Sequence, residues 1–396
     1  MKFLQHRFVE TVSVAFGATF AQALALVPTG LTVLVACTVL LWQNEARRDW
    51  RDILDDAEIG DAQRPTLGDG AFASVTAALA VDAPVADDAF FASDRYAQVQ
   101  RVVETYAWTE RVEEEVERRW GGGRDIHTIY SYEQGWTGEV FPSDGFRYPD
   151  GHENPRPEWG TRLFAADAYR LGSWTVNGEH ALPLVSVPIM PADVTWTGAG
   201  ESLRFDEGCE CYYIGGASPD TPRVGDQRVR FVGVPQGLKV TAFGNAYGAQ
   251  LGPREWVDGI GFVLLLPGSR SDALDFAGAL HTILLWLGRF AGVVAIWFGL
   301  TLVIAPLFAV FDIVPPVGAV LRFTFSIVLL PVAIIWGGAV ISASMVLHNP
   351  VLLALALFAL YLVGRFALDR RREKREYEEI MRAYRQQQDA EPEAAA

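Results

Sequence analysis

The densest group of residues able to do chemistry lies at Asp144, Asp150, His152 and Glu153, with His127 upstream. Carboxylates and an imidazole that converge on one point can hold a divalent cation or serve as general acid and base. The same stretch, Gly151-His152-Glu153-Asn154-Pro155, also has the composition of a tight turn, in which Gly, Asn and Pro are used for their backbone conformations. The turn is the expected reading. There is no Gly-x-Ser-x-Gly elbow, His-Glu-x-x-His helix or phosphate-binding glycine loop. Cys209 and Cys211 are too few ligands for a metal site, and the ring they would close on oxidation is strained, so their redox state stays open. No catalytic, cofactor-binding or metal-ligating residue is therefore assigned, and no cofactor is expected.

A second group is aromatic. In 101–110 the sequence alternates so that Glu104, Tyr106 and Trp108 share one face of a strand, and Tyr130, Tyr132 and Trp136 repeat that register downstream. One reading is an aromatic-lined core with Glu104 paired to an arginine. The other is an exposed face that contacts a second subunit or the bilayer surface, since tryptophan and tyrosine favour both interfaces. Gly121-Gly122-Gly123 lies between these two segments, as the tip of a hairpin would.

What must position these residues is a membrane protein. Residues 290–311, 323–346 and 351–365 are nearly unbroken apolar runs, with Arg289 before the first and Asp312 after it. A hydrocarbon core of ~30 Å needs roughly 20 apolar residues per helix, so each is read as a span and the last as a short one. A fourth span is expected at 21–43, closed by Asn44-Glu45 and Arg47-Arg48. Before it, Leu4, Phe8, Val12, Phe16 and Phe20 recur every four residues, which predicts an amphipathic helix over 1–20. Leu34-Val35-Ala36-Cys37 has the residue types of a lipoprotein cleavage site, but the apolar run continues past it and argues for a retained helix.

Between the first and second spans, residues 44–280 are rich in Gly, Pro and Asp with short alternating runs, which predicts a mostly β domain built as a sandwich or small closed barrel. Strands are expected at 182–189, 212–215, 227–234, 238–243 and 262–266, turns at Pro219-Asp220 and 234–237, and helices near 50–58 and 273–280. The fold class is thus an α+β membrane protein: one N-terminal and three C-terminal spans (281–365), an extramembrane β domain between them, and a charged helix and tail over 366–396.

The net charge of −15 argues against nucleic acid as a partner, because binding it requires clustered positive charge. Only Lys2, Lys239 and Lys374 are lysines among the basic residues; the arginine bias points to a GC-rich, prokaryotic genome. Eight basic residues after Gly364 mark the cytoplasmic side, so both termini are expected in the cytoplasm and the β domain outside. Arg47, Arg48 and Arg51 oppose that assignment.

The chain resembles the transmembrane protein 43 (LUMA) family. Asn44-Glu45-Ala46-Arg47 is similar to that family's Asn-Glu-Gly-Arg, and 101–110 to its Arg-x-Val-Glu-Met-Tyr-Gln-Trp-Val-Glu pattern. Tyr130-Ser131-Tyr132 leading to Trp136, then Phe146 and Gly151-His152-Glu153-Asn154-Pro155, follow in the family's order, and Val224-Gly225-Asp226-Gln227-Arg228 resembles its Val-Gly-Asp-Leu-Arg. Arg289, Asp312 with Pro315, and Pro350 also fall where the family has like residues. The departures are Ala46, Thr105, Ala107 and Asn349. The resemblance implies four spans and a large lumenal or exocytoplasmic domain, proposed to be OB-fold-like. It also implies residence in the endoplasmic reticulum or inner nuclear membrane in animals, self-association and the organisation of membrane complexes, with prokaryotic relatives in stress or defence signalling.

The expected function is a non-enzymatic membrane scaffold. Its expected partners are the lipid bilayer, further copies of itself and membrane or exported proteins. The alternatives are an exported metal-dependent enzyme at His152 and an oligomeric channel in which Arg289 and Asp312 matter.

Overall fold

A computed structural model describes residues 6–215, 220–257 and 259–390. The expected turn at Pro219-Asp220 and the end of the tail therefore fall partly outside the described residues. The chain divides into two units: one formed by 1–21, 48–284 and 309–319, the other by 22–47, 285–308 and 320–396.

The first unit is built on a closed barrel of five strands: β2 (Phe72–Val81), β5 (Ala168–Leu171), β6 (Trp174–Asn177), β10 (Lys239–Tyr247) and β11 (Gln250–Gly252). β2 pairs antiparallel with β5, β5 with β6, β10 with β11 and β10 with β2, while β6 and β11 are parallel. Numbering the barrel strands one to five along the chain, the ring reads 1-2-3-5-4-1, the connection order of an OB-fold. Alternation fills the barrel. Val75 and Leu79 of β2, Tyr169 and Leu171 of β5, Trp174 and Val176 of β6, and Val240 and Ala242 of β10 are all buried in one cluster. β12 (Ile260–Pro267) extends the sheet along β10. It also leads into α3 (Arg270–Val303), whose first turns bury Ala273, Leu274 and Ala277 against Phe243, Leu266 and Leu54 of the short α2 (Trp50–Asp55).

An N-terminal strand, with the long insertions between barrel strands one and two and between three and four, makes a second sheet. Its strands are β1 (Arg7–Val14), β3 (Tyr96–Arg118), β4 (Arg124–Thr137), β7 (Arg204–Asp206), β8 (Cys211–Ile214) and β9 (Gln227–Pro235), in the order β1-β4-β3-β9-β8-β7. β3 runs for 23 residues and buries Val99, Val103 and Ala107 along one face. Phe90, Phe91, Tyr212, Val229 and Phe231 complete that core. Beneath it Arg101 and Asp87 form a buried ion pair, Nη1 to Oδ2 2.8 Å. Burial pushes the Asp87 carboxyl above its ordinary range although Arg101 acts against it. Cys209 and Cys211 are joined by a disulfide across Glu210, which takes a positive φ of 50°.

The expected amphipathic helix over 1–20 is corrected here. Residues 7–14 form β1, antiparallel to β4 from Arg7–Ser131 to Val14–Arg124. A four-residue apolar spacing satisfies a two-residue period as well as a helical one, and Val9, Thr11, Val12 and Val14 are β-branched, which stiffens χ1 and favours the extended chain. β1 also completes a sheet of the central domain, so that domain does not begin at residue 44.

The second unit is helical. α1 (Phe16–Ala46), α3, α5 (Pro315–His348) and α6 (Pro350–Ala390) are all long and apolar enough to cross a membrane. The spans are longer than the apolar runs predict; α3 begins at Arg270 and breaks at Ile304 before the short α4 (Ala305–Phe311). Between α1 and α3 the close approach at Gly30 and Gly299 leaves no room for a side chain: a Cβ on Gly30 would lie 2.8 Å from the Gly299 carbonyl oxygen. Pro350 opens α6, where its missing N–H costs nothing, and Asn349 Oδ1 accepts from the N–H groups of Val351 and Leu352. Asn349 therefore caps the start of α6. The charged C-terminal segment continues α6 as one helix through Ala390.

Candidate functional site

The motif residues of the central domain converge on one edge of β3. β9 pairs with β3 only as far as Gln227–Thr105, so beyond Thr105 that edge needs other hydrogen-bond partners. It finds them in turn. The Tyr106 N–H donates to the Asp226 carbonyl and the Gly225 N–H to the Tyr106 carbonyl, 2.8 and 2.9 Å. Two residues on, Asn154 imitates a strand: its Oδ1 accepts from the Trp108 N–H at 2.7 Å and its Nδ2 donates to the Trp108 carbonyl at 2.9 Å. Glu110 accepts from the Tyr132 hydroxyl and the Arg147 N–H.

The segments that supply these groups lock one another. Gly225 has φ +101°, and a Cβ there would lie 2.9 Å from Pro155 Cγ. This single glycine holds the Gly-Asp turn against the Gly-His-Glu-Asn-Pro turn. Asp226 accepts from the Tyr213 hydroxyl and the Arg223 N–H. Glu104 pairs with Arg228 at 2.6 Å, the arginine partner expected of it, and that guanidinium lies 4.8 Å over Trp136. Trp136 in turn meets Tyr106 and Tyr213 edge-on. Burial and the Asp226 contact push the Tyr213 hydroxyl upward, and burial with Glu110 raises Tyr132 to about 12. These hydroxyls donate and stay protonated through the physiological range.

His152 is fully enclosed. Its ring stacks on Tyr132 with centroids 4.0 Å apart and meets Trp108 edge-on at 4.9 Å. Nδ1 donates to the Tyr148 carbonyl at 2.9 Å, and Nε2 shares one hydrogen with Nδ1 of His6 at 2.9 Å. His6, Phe8 and Glu10 alternate on one face of β1. Phe8 stacks on Tyr148 at 4.2 Å, and Glu10 takes Arg147 and the Tyr148 hydroxyl. Those two donors hold the Glu10 carboxyl below its usual range.

The other candidates for chemistry are not brought here. Glu153 accepts from the Gly151 N–H, which lowers its carboxyl, and Asp144 and Asp150 are exposed. His127 bonds Thr11 and approaches Glu117 on the opposite face of the sheet. Among the described residues no three His, Cys, Asp or Glu side chains are grouped to hold a metal. The arrangement joins chain segments: residues 151–155 tie the β3 edge to the Gly225 turn and to His6. Sequence reasoning passed over His6, Glu10, Glu110 and Arg147. The signals that could have found them are the two-residue spacing of His6, Phe8 and Glu10, and the place of Glu110 at the end of the 101–110 motif.

In the helical unit Asn44 and Glu45 read α3. Glu45 receives Arg289 through two bonds of 2.8 and 2.7 Å and is almost wholly enclosed, and Asn44 Nδ2 donates to the Leu285 carbonyl. Gly288 is required beside them, since a Cβ there would strike Asn44. Arg289 is thus the ion-pair partner of Glu45. Arg47 is exposed. Asp312, which belongs to the first unit, is buried and meets Arg118 of β3 at 3.2 Å.

The interlocked segments are those that carry the family likeness, and the sequence matches the family model described as Transmembrane protein 43 over residues 105–350. Comparison with curated proteins gives no match, nor does comparison with solved structures. The matched stretch is more than half of the 396 residues and runs from the β3 edge through Asn154, Gly225 and Arg289 to Pro350, so the chain belongs to the transmembrane protein 43 family.

Proposed function

We propose that this protein is a multi-pass membrane scaffold that self-associates and presents its OB-type barrel and second sheet to other proteins. The observation that carries the reading is α6. Its membrane-length stretch, Pro350–Arg370, is as apolar as the other spans, yet none of it is buried within the chain. Helices in lipid associate through packing rather than through a hydrophobic driving force, so a bare span is a surface open to a neighbouring subunit.

The central domain supports a binding role in the same way. Its motif residues spend their hydrogen bonds on one another at the β3 edge, which fixes the shape of a platform. The Cys209–Cys211 disulfide favours an oxidising compartment for that domain, in keeping with the exocytoplasmic face of a prokaryotic plasma membrane. The arginine-rich end of α6 then offers cytoplasmic contacts.

The test is a cysteine scan along α6 in a Cys37→Ser background, with the full chain in lipid. Subunit-to-subunit cross-links that recur every three to four positions are expected. Cross-links absent along the whole helix overturn the proposal.

A further inference from the structure

The Cys209–Cys211 link has little structural work to explain it. It spans one intervening residue and so closes almost no loop, whereas in the chain-entropy account a disulfide stabilises a fold through the loop it closes. The hairpin around it is held by other means: β7 and β8 pair from Arg204–Tyr213 to Asp206–Cys211, and β8 pairs in turn with β9. The turn that carries the link is strained. Among the described residues Glu210 is the one non-glycine with a positive φ, 50°, a conformation that crowds its Cβ against the following carbonyl oxygen. Opening the link frees that residue to leave it.

The surroundings suit exchange rather than permanence. Cys209 is half-buried while Cys211 is buried, so an incoming thiol meets one sulfur and not the other. Cys209 Sγ lies 3.8 Å from the Asp206 carbonyl oxygen, an acceptor already in place for the S–H that reduction makes. Arg230 Nη2 donates to the Cys209 carbonyl at 3.3 Å, and the β8–β9 register, carried one step past Tyr212–Val229, sets Arg230 opposite Cys211. A guanidinium there favours the thiolate that leaves when Cys209 is attacked. Asp206, Glu207 and Glu210 flank the pair with negative charge. They repel an anionic thiol such as glutathione and attract a cationic one.

We propose that the Cys209–Cys211 turn is a thiol–disulfide exchange site that passes its disulfide to a dithiol on a second protein, one whose cysteines sit beside basic residues. A thiolate of the partner attacks Cys209 Sγ; the sulfur–sulfur bond breaks and its electron pair goes to Cys211 Sγ. The partner's second thiolate then attacks the partner sulfur of the mixed disulfide and releases Cys209. The partner gives up two electrons and two protons to become a disulfide, and Cys209 and Cys211 take both up as thiols. This single exchange needs no other co-reactant.

The experiment uses the full chain in a Cys37→Ser background, at one chain per nanodisc so that the result is independent of self-association. The probe is a lysine-flanked Cys-x-x-Cys peptide in its dithiol form. Alkylation and intact mass are expected to show one peptide disulfide formed for each Cys209–Cys211 pair reduced, about tenfold faster than hydroxyethyl disulfide oxidises the same peptide. Replacing the peptide's lysines by glutamates slows the exchange by about tenfold at low ionic strength, and high salt narrows that gap. Arg230→Gln slows it by about fivefold with thermal stability unchanged. Glu210→Gln removes a charge and keeps the positive φ, whereas Glu210→Gly removes both the charge and the strain; the glycine variant is expected to exchange about fivefold more slowly than the glutamine variant. A pair that cannot be oxidised, that stays oxidised under excess peptide, or that reacts no faster than hydroxyethyl disulfide overturns the proposal. So do equal rates for the two peptides at low ionic strength, or for the glycine and glutamine variants.

Discussion

The two units solve the problem of polar groups in opposite ways. In the β unit, motif residues from four separate stretches of sequence interlock along one strand edge, and carboxylates, hydroxyls and the buried imidazole of His152 are matched by partners. In the helical unit the ion pair of Glu45 and the amide contact of Asn44 with α3 stand at one end of α1, while glycine contacts and apolar side chains do most of the rest and α6 stays bare. A platform fixed by its own hydrogen bonds, joined to spans with uncovered surface, is what a scaffold requires.

Breaking the buried ion pair in each unit sharpens this contrast most strongly. Arg101→Met strands the Asp87 carboxylate and Arg289→Met strands Glu45; each is expected to cost about 3–5 kcal/mol, read as a fall in thermal stability of the purified protein. Removing both partners with apolar residues of similar size should recover most of the loss in either unit. Failure to recover at Glu45 and Arg289 alone would show that this pair also orients α1 on α3.

Asn154→Ala comes next. It leaves the N–H and carbonyl of Trp108 unpaired, for about 2–3 kcal/mol, and hydrogen exchange should rise at Trp108 and not in the barrel strand β10. Gly225→Ala requires a side chain at positive φ and against Pro155; about 1–3 kcal/mol is expected, read from chemical denaturation.

The smallest effect concerns β1. The Glu10 carboxyl is held low in the folded protein, so its contribution is present above the ordinary carboxylate pKa and is lost as pH falls through the depressed value. Hydrogen exchange over residues 8–14 should quicken in acid, and Glu10→Gln should flatten that dependence. An unchanged acid response in Glu10→Gln would assign the release of β1 to other groups.

Much of this was legible from local pattern. The spans follow from apolar length, the hairpin tip from Gly121-Gly122-Gly123, and the Glu104 partner from a charge alternating with aromatics on one strand face. The barrel closure was not legible, because β2 and β10 meet across more than 150 residues of chain and nothing local encodes that pairing. β1 was misread because a spacing of four suits both a helix and a strand, and only its β-branched content distinguishes them. The His6–His152 contact inherits that error: with residues 1–20 as a helix, His6 has no reason to reach the turn at His152.

The central claim is self-association through the membrane spans. The most direct measurement is the native mass of the full-length protein in lipid nanodiscs over a range of protein-to-disc ratios. A discrete multimer that persists at the lowest ratio is the predicted result. A monomer at every ratio would contradict the scaffold and return the central domain to consideration as an independent binding unit.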